Sequence, residues 1–312
     1  MLITKQRPQD IPDIDPEKVV KVKECGNIIE VMSREHRSFG AHILKISAEE
    51  YVLLKTGEVK PFNHTESRAD NLSMVARSLA YGRDMINANI TDVTMCRWLT
   101  LTYAENMTDP KRLYEDFKEF NRRARKKWGH YEYITAAEPQ GRGAWHLHAV
   151  LIFDHKAPYM ANAAVADCWR KGFVTIKRLD DVDNVGAYLT AYLGDMELHE
   201  CAAQGMTIHG EGVKLVEYTE EGQKKSKAYI KGARMRLYPP QFHIFRWSRG
   251  CKKPIIEQMT YGRAQKEKAL VGARTFRRAV LIEDDKSDFR DLVVYEYYNK
   301  CRGKCQEKSD NL

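Results

Sequence analysis

The chain has 312 residues, 43% hydrophobic and 30% charged, with a formal net charge of +8 at pH 7. No run approaches the ~18 apolar residues of a helical membrane span, so the sequence argues against one, and the positive balance favours an acidic partner, nucleic acid first. Seven cysteines, an odd number spread from position 25 to 305, argue against a disulfide framework and fit a reducing cytoplasm; Cys301 and Cys305 form the one close pair, without the second pair a zinc module needs.

In chain order, residues 1–30 read as an irregular arm punctuated by Pro8, Pro12 and Pro16, and the first ten residues lack the apolar core of a secretory signal. Short strands are expected at 43–46 and 51–54. Residues 73–90 read as a helix with Met74, Leu79, Met85 and Ile86 on one side. A strand follows at about 95–103, where Leu99, Leu101 and Tyr103 alternate with Thr100 and Thr102. A helix is predicted over 110–128. Pro110 suits its first turn, and Leu113, Phe117, Phe120, Ala124 and Trp128 form its buried stripe.

The next segment is the most informative. Strand-like stretches at 131–137 and 144–153 flank Gly141-Arg142-Gly143, a hairpin turn. Successive strand side chains alternate between faces, so His146 and His148 share one. A turn centred near Arg142 puts Glu138 opposite His146, on that same face. A carboxylate and two imidazoles form a metal-ligand set with positions left for a substrate oxygen and water. A hydrogen-bonded or solvated histidine pair fits the hairpin equally well. A helix at 159–170 stopped by Gly172 and a strand at 173–179 come next. A last helix, 183–194, has Asp183 as N-cap and Gly194 as its stop. Tyr188 and Tyr192 lie one turn apart on it, so they share a face. They fit either a cation-assisted nucleophile pair or an aromatic packing stripe. The order β-α-β-β-α-β is the ferredoxin-like split pattern. It predicts an α+β fold, an antiparallel sheet with helices on one side, carrying N- and C-terminal extensions.

Two zones are basic. Arg125, Lys126 and Lys127 crowd the end of the 110–128 helix, where they form either a DNA contact or a solvated face complementing the helix dipole. Residues 222–253 hold ten Lys or Arg and no acid, interleaved with Tyr229, Tyr238, Phe242, Phe245 and Trp247. Cations that track phosphates beside aromatics that stack bases would give a DNA-binding surface. Aromatics in the core with the basic residues outside would give the same pattern. The expected division is an arm and small β region (1–72), a core with its leading helix (73–195), a basic aromatic extension (196–281), and an acidic or mixed tail (282–312) holding Glu283, Asp284, Asp285, Asp288 and Asp291.

The succession Trp98-Leu-Thr-Leu-Thr-Tyr103, Glu138-Pro-Gln-Gly-Arg-Gly-Ala-Trp-His-Leu-His148 and Tyr188-Leu-Thr-Ala-Tyr192 resembles the three motifs of HUH endonucleases of the rolling-circle replication initiator class, nearest to those of bacterial plasmids and filamentous or microvirus-type phages. The resemblance runs over roughly 73–254, because Ser248-Arg-Gly-Cys-Lys-Lys-Pro254 is also similar to the tail of that family. It implies site-specific nicking and joining of single-stranded DNA in a bacterial cytoplasm. It also implies Mn²⁺ or Mg²⁺ on Glu138, His146 and His148, with Tyr188 the first choice of nucleophile and Tyr192 available for a second transfer. Arg125, Lys126, Lys127, Arg142, Arg234, Arg236, Arg246 and Arg249 are the expected DNA contacts. The expected partners are an origin hairpin, a host polymerase and, since no P-loop string is present, a host helicase. One position departs from the family pattern: a lysine often precedes the second tyrosine, and here it is Ala191. That departure keeps open a catalytically weakened DNA-binding regulator of the same fold. A transposase- or relaxase-type nickase and an RNA-binding ferredoxin-like module also stay open.

Overall fold

The computed structural model describes residues 3–8, 10–36, 42–63, 72–179, 184–190, 193–203, 205, 213–220, 223–230, 232–239, 242–284 and 289–301. The chain divides into two compact units, one formed by both chain ends (Met1–Glu66 with Ile255–Leu312) and one by Ser67–Pro254.

The first unit begins with β1 (Ile3–Gln6), β2 (Val19–Cys25) and β3 (Ile28–Arg34), then a small sheet of β4 (Ile43–Lys45), β5 (Glu50–Leu53) and β6 (Val59–Pro61). Alternation in β2 and β3 turns Val20, Val22, Ile29 and Val31 inward. Gly26, at φ +59, supplies the left-handed backbone that their two-residue connection needs.

The second unit contains α1 (Leu72–Asn89), β7 (Cys96–Thr102), α2 (Pro110–Trp128), β8 (Glu132–Pro139), β9 (Trp145–Ile152), α3 (Asn162–Trp169), β10 (Val174–Lys177) and α4 (Val185–Thr190). It continues through β11 (Met196–Glu197), α5 (Leu198–Ala203), the hairpin β12 (Val213–Glu220) and β13 (Gln223–Ile230), and β14 (Phe245–Trp247). The chain then returns to the first unit as β15 (Ile255–Thr260), α6 (Tyr261–Glu267), β16 (Arg274–Asp284) and β17 (Arg290–Asn299).

The sheet that matters for function runs β10-β7-β9-β8-β14, antiparallel throughout. One face carries Leu99, Leu101, Leu147 and Leu151, all fully buried. Against it pack α2 and α3. The Asp109 side chain caps α2 by accepting from the Lys111 amide, with Pro110 at its first position, and Leu113, Phe117, Phe120 and Ala124 fill the interface. Trp169 of α3 donates its indole N–H to the Thr102 carbonyl at 2.9 Å.

The opposite face is also covered, which corrects the expectation of helices on one side. There α1 sits so close to β14 that a Cβ on Gly82 would lie 2.4 Å from the Phe245 ring. A second difference concerns α3. It starts at Asn162 rather than 159, and Arg170, at φ 60, ends it in place of Gly172. Gly172 instead permits a close approach, since a Cβ there would stand 2.4 Å from the Ala104 nitrogen and 2.5 Å from the Thr102 oxygen.

The arm (1–72) and the tail (282–312) are the larger correction. Their strands meet in one six-stranded sheet, β1-β16-β17-β3-β2-β15. Asp291, read as part of an acidic tail, is 0% exposed and accepts from Arg34 at 2.5 Å and from the Glu35 and His36 amides. The expected extension 196–281 is likewise divided, with β15 and most of β16 in the sheet of the chain ends. Pairing between residues more than two hundred positions apart leaves no trace in a local pattern. Among the described residues no helix is long and apolar enough to cross a membrane.

Candidate active site

Register places the candidate ligands. Thr102, His146 and Glu138 form one cross-strand row, and Thr100, His148 and Ala136 the next. All six share the face over which α1 lies. His148 is held between its neighbours, Nδ1 3.2 Å from the Thr100 hydroxyl and Nε2 2.5 Å from Glu138 Oε2. The other oxygen of Glu138 pairs with Arg234 Nη1 at 3.0 Å. Burial alone would raise the Glu138 pKa, but the hydrogen bond with His148 and the nearby positive charge hold the carboxyl below its ordinary range.

His146 differs. Burial pushes its pKa down to about 4 against the opposing pull of Glu138, so the imidazole is neutral at pH 7. Its Nε2 is buried and has no hydrogen-bond partner. An orphaned nitrogen of this kind costs about 1–3 kcal/mol and marks unused ligand capacity. Among the described residues no three His, Cys, Asp or Glu side chains converge as a metal-binding group. The reason is visible at Glu138, whose oxygens are engaged by His148 and Arg234 while His146 Nε2 engages nothing.

Arg234, expected on a DNA-facing surface, is instead 6% exposed. Besides Glu138 it reaches the carbonyls of Pro139 at 2.8 Å and Asp195 at 3.0 Å, and Glu200 at 3.4 Å. Its own amide donates to the Gly194 carbonyl at 3.2 Å. The Tyr238 hydroxyl adds a parallel tie, lying within 2.9 Å of the Ala137 carbonyl and 3.3 Å of the Leu193 carbonyl. The segment that follows the tyrosine motif is thereby fastened to the end of β8 that carries Glu138.

The tyrosine helix is anchored at its other end too. Asn87 of α1, buried, accepts from the Gly186 amide at 2.8 Å and donates to Asn184 at 2.9 Å. A Cβ on Gly186 would stand 2.4 Å from the Arg83 carbonyl oxygen, so only glycine allows α4 to lie this close to α1. Tyr188 belongs to α4, but its side chain lies outside the described residues, as do Asp183, Ala191 and Tyr192. A small cavity of about 20 Å³ beside His148 is lined by Trp98, Ile86, Leu193 and Phe245 among others. It has room for about one water. Sequence reasoning missed Asn87, Gly186 and Arg234. Asn87 and Gly186 each break an apolar run, which is a weak signal, and Arg234 is one of ten basic residues in its zone and carries none.

The remaining basic residues are dispersed. Arg125 is half-buried and donates to the Tyr131 carbonyl at 2.7 Å, while Lys126 and Lys127 are exposed. Arg142, Arg236 and Arg249 are exposed, and Arg246 lies over the Tyr114 ring at 3.4 Å. The aromatics of 222–253 mostly face inward: Tyr238 and Phe245 are buried, and Phe242 and Trp247 pack on the same core. For these rings packing, not base stacking, is the role observed.

Residues 96–197, β7 through β11, match a family model of replication-associated proteins of the ORF2 type. The matched stretch is less than half of the chain and contains Glu138, His146, His148 and both tyrosines. Neither the curated proteins nor the solved structures gave a match.

Proposed function

We propose that this chain nicks and rejoins single-stranded DNA through a tyrosine, initiating rolling-circle replication of a plasmid or phage in a bacterial cytoplasm. The match of residues 96–197 to a replication-associated family supports a part in replication. One observation carries the chemistry: Glu138, His146 and His148 stand on one face of a rigid sheet, and the tyrosine-bearing helix is docked on the helix that covers that face. The order β10-β7-β9-β8, with α2 and α3 crossing between strands, is the split β-α-β arrangement and supports a ferredoxin-like HUH core.

Glu138, His146 and His148 would hold Mn²⁺ or Mg²⁺. The donor set suits such an ion, since His146 is neutral and has an unpartnered nitrogen and Glu138 is held ionised. Bound there, the ion neutralises charge on a non-bridging oxygen of the scissile phosphate. Arg234 keeps Glu138 in place, and Asn87 and Gly186 fix α4, so the nucleophile's approach is set before DNA arrives. The Tyr188 oxygen bonds to phosphorus as the bond to the 3′ oxygen breaks; the phenolic proton passes to solvent and the 3′ oxygen takes one up. A 5′-phosphotyrosine and a 3′ hydroxyl result, the latter open to a host polymerase while a host helicase separates the strands. Tyr192 performs the second transfer that closes the circle. A second reading, a DNA-binding regulator without cleavage, is favoured by the hold of Arg234 on Glu138 and by Ala191.

The test is covalent capture. Single strands tiling the chain's own replicon are incubated with the protein and Mn²⁺, then resolved under denaturing conditions. An adduct is expected with the wild type, and none with Tyr188→Phe or with EDTA. Wild-type protein that binds these strands and forms no adduct overturns the enzyme in favour of the regulator.

A further inference from the structure

The six-stranded sheet of the chain ends has two unlike faces. One is packed by α6 and by a core that includes Val22, Val31, Met259 and Val294. The other shows two exposed cross-strand rows in its middle. Phe276, Tyr297, Glu30, Lys23 and Ile256 pair across the first row, and Arg278, Tyr295, Met32, Lys21 and Gln258 across the second. Cross-strand partners share a face, so these side chains form one surface.

Its chemistry is specific. Phe276 is 57% exposed, and its ring centroid is 6.0 Å from that of Tyr297. Arg278 lies over the Tyr295 ring at 4.7 Å and reaches the Tyr297 hydroxyl at 3.5 Å. Glu30, the one acid in these rows, is paired with Lys23 at 3.3 Å. That pair cancels, and Lys21 and Arg278 leave the surface positive. Exposed apolar side chains stand apart: Phe276 is on β16, and Ile256, 56% exposed, is on β15 with Tyr297, Glu30 and Lys23 between them. A protein-binding patch would be contiguous and apolar. Here aromatic rings on neighbouring strands alternate with cations, which is what unpaired bases and their phosphates require.

We infer that this face is a second DNA-contacting surface that binds single-stranded DNA, bases stacking on Phe276 and the tyrosines beside it and phosphates meeting Lys21 and Arg278. It is separate from the histidine site and does not rest on the nicking chemistry. A duplex does not fit the role, because paired bases expose no π-face to stack.

The experiment uses the full chain, fluorescent oligothymidylate and EDTA, so that neither origin sequence nor metal contributes, and reads anisotropy across a salt series. Phe276→Ala should weaken binding about tenfold. Lys21→Gln with Arg278→Gln should lower the slope of log affinity against log salt by about 1.4, two single-strand phosphate contacts. All three positions are exposed, and thermal unfolding confirms that the variants fold. Either variant binding as the wild type, while folded, overturns the inference. Adduct formation on saturating replicon strands should survive in both variants. A wild type that forms no adduct but shows these binding changes would end the nicking reading and leave this one standing.

Discussion

Each unit of this protein buries a glutamate among partners, and the two clusters differ in what they leave over. Glu296, 1% exposed, accepts from the Tyr261 and Tyr298 hydroxyls at 2.7 and 2.5 Å on one oxygen. On the other it meets Arg274 at 3.2 Å and Arg277 at 3.1 Å. Burial and the adjacent carboxylate both push the Tyr298 hydroxyl upward, so it stays protonated and donates. The cluster is closed. Glu138 is just as firmly held by His148 and Arg234, yet beside it His146 keeps a buried nitrogen with no partner. A buried acid is therefore no mark of a site by itself, since a saturated one is a structural knot. Unused coordinating capacity next to it is what separates the second cluster from the first.

The sharpest way to break this contrast is to remove one member from each. Glu296→Ala strips two arginines and two hydroxyls of their acceptor, and loss of one partner from a buried ionic cluster costs about 3–5 kcal/mol. Urea denaturation should show that loss. His146→Leu deletes only an unsatisfied nitrogen, so stability should stay within about 1 kcal/mol of the wild type or rise. Adduct formation should nonetheless fall about a hundredfold or more, the scale expected when a metal's coordination is disturbed. A His146→Leu variant as unstable as Glu296→Ala would show that both clusters are structural.

A smaller effect is expected at Arg234. Lysine keeps the charge but not the fork, so Arg234→Lys cannot hold Glu138, the Pro139 carbonyl and the Asp195 carbonyl together. Adduct formation should drop about tenfold, with a stability loss of about 1–2 kcal/mol from the hydrogen bonds given up. An unchanged rate of adduct formation would mean that Glu138 does not depend on Arg234 for its position.

The parts of this comparison were unequally legible in the sequence. The 110–128 helix emerges at Pro110–Trp128, and Glu138 opposite His146 emerges in the register, because periodicity and turn chemistry are local and strong there. Arg234 looked like one more surface cation, since nothing near position 234 says that its guanidinium reaches residues almost a hundred positions away. The Glu296 cluster was invisible for the same reason. Its partners come from the 261–298 stretch, in which the residues beyond 281 read only as an acidic or mixed tail. Prolines suggested an irregular arm at 1–30, yet Pro12 and Pro16 fall between strands β1 and β2, where they interrupt no ladder.

A third carboxylate calibrates the other two at the weak end. Glu24 is bridged by Lys300 at 2.6 Å and Lys268 at 2.9 Å, but its side chain is 20% exposed, so water screens the pairs. Burial raises its pKa, the two lysines lower it, and the lysines prevail. A carboxyl held lower in the folded than in the unfolded chain adds stability that is complete above the unfolded value, about 4.3, and is lost as pH falls through the folded one. Glu24→Gln should thus cost no more than about 1 kcal/mol at neutral pH. The gap between variant and wild type should then close as pH falls from about 5 toward 3, read as unfolding free energy at each pH. A gap that widens on acidification would mean that burial, not the lysine pair, governs this group. Exposure would then be a poor guide to which of the three carboxylates is worth most.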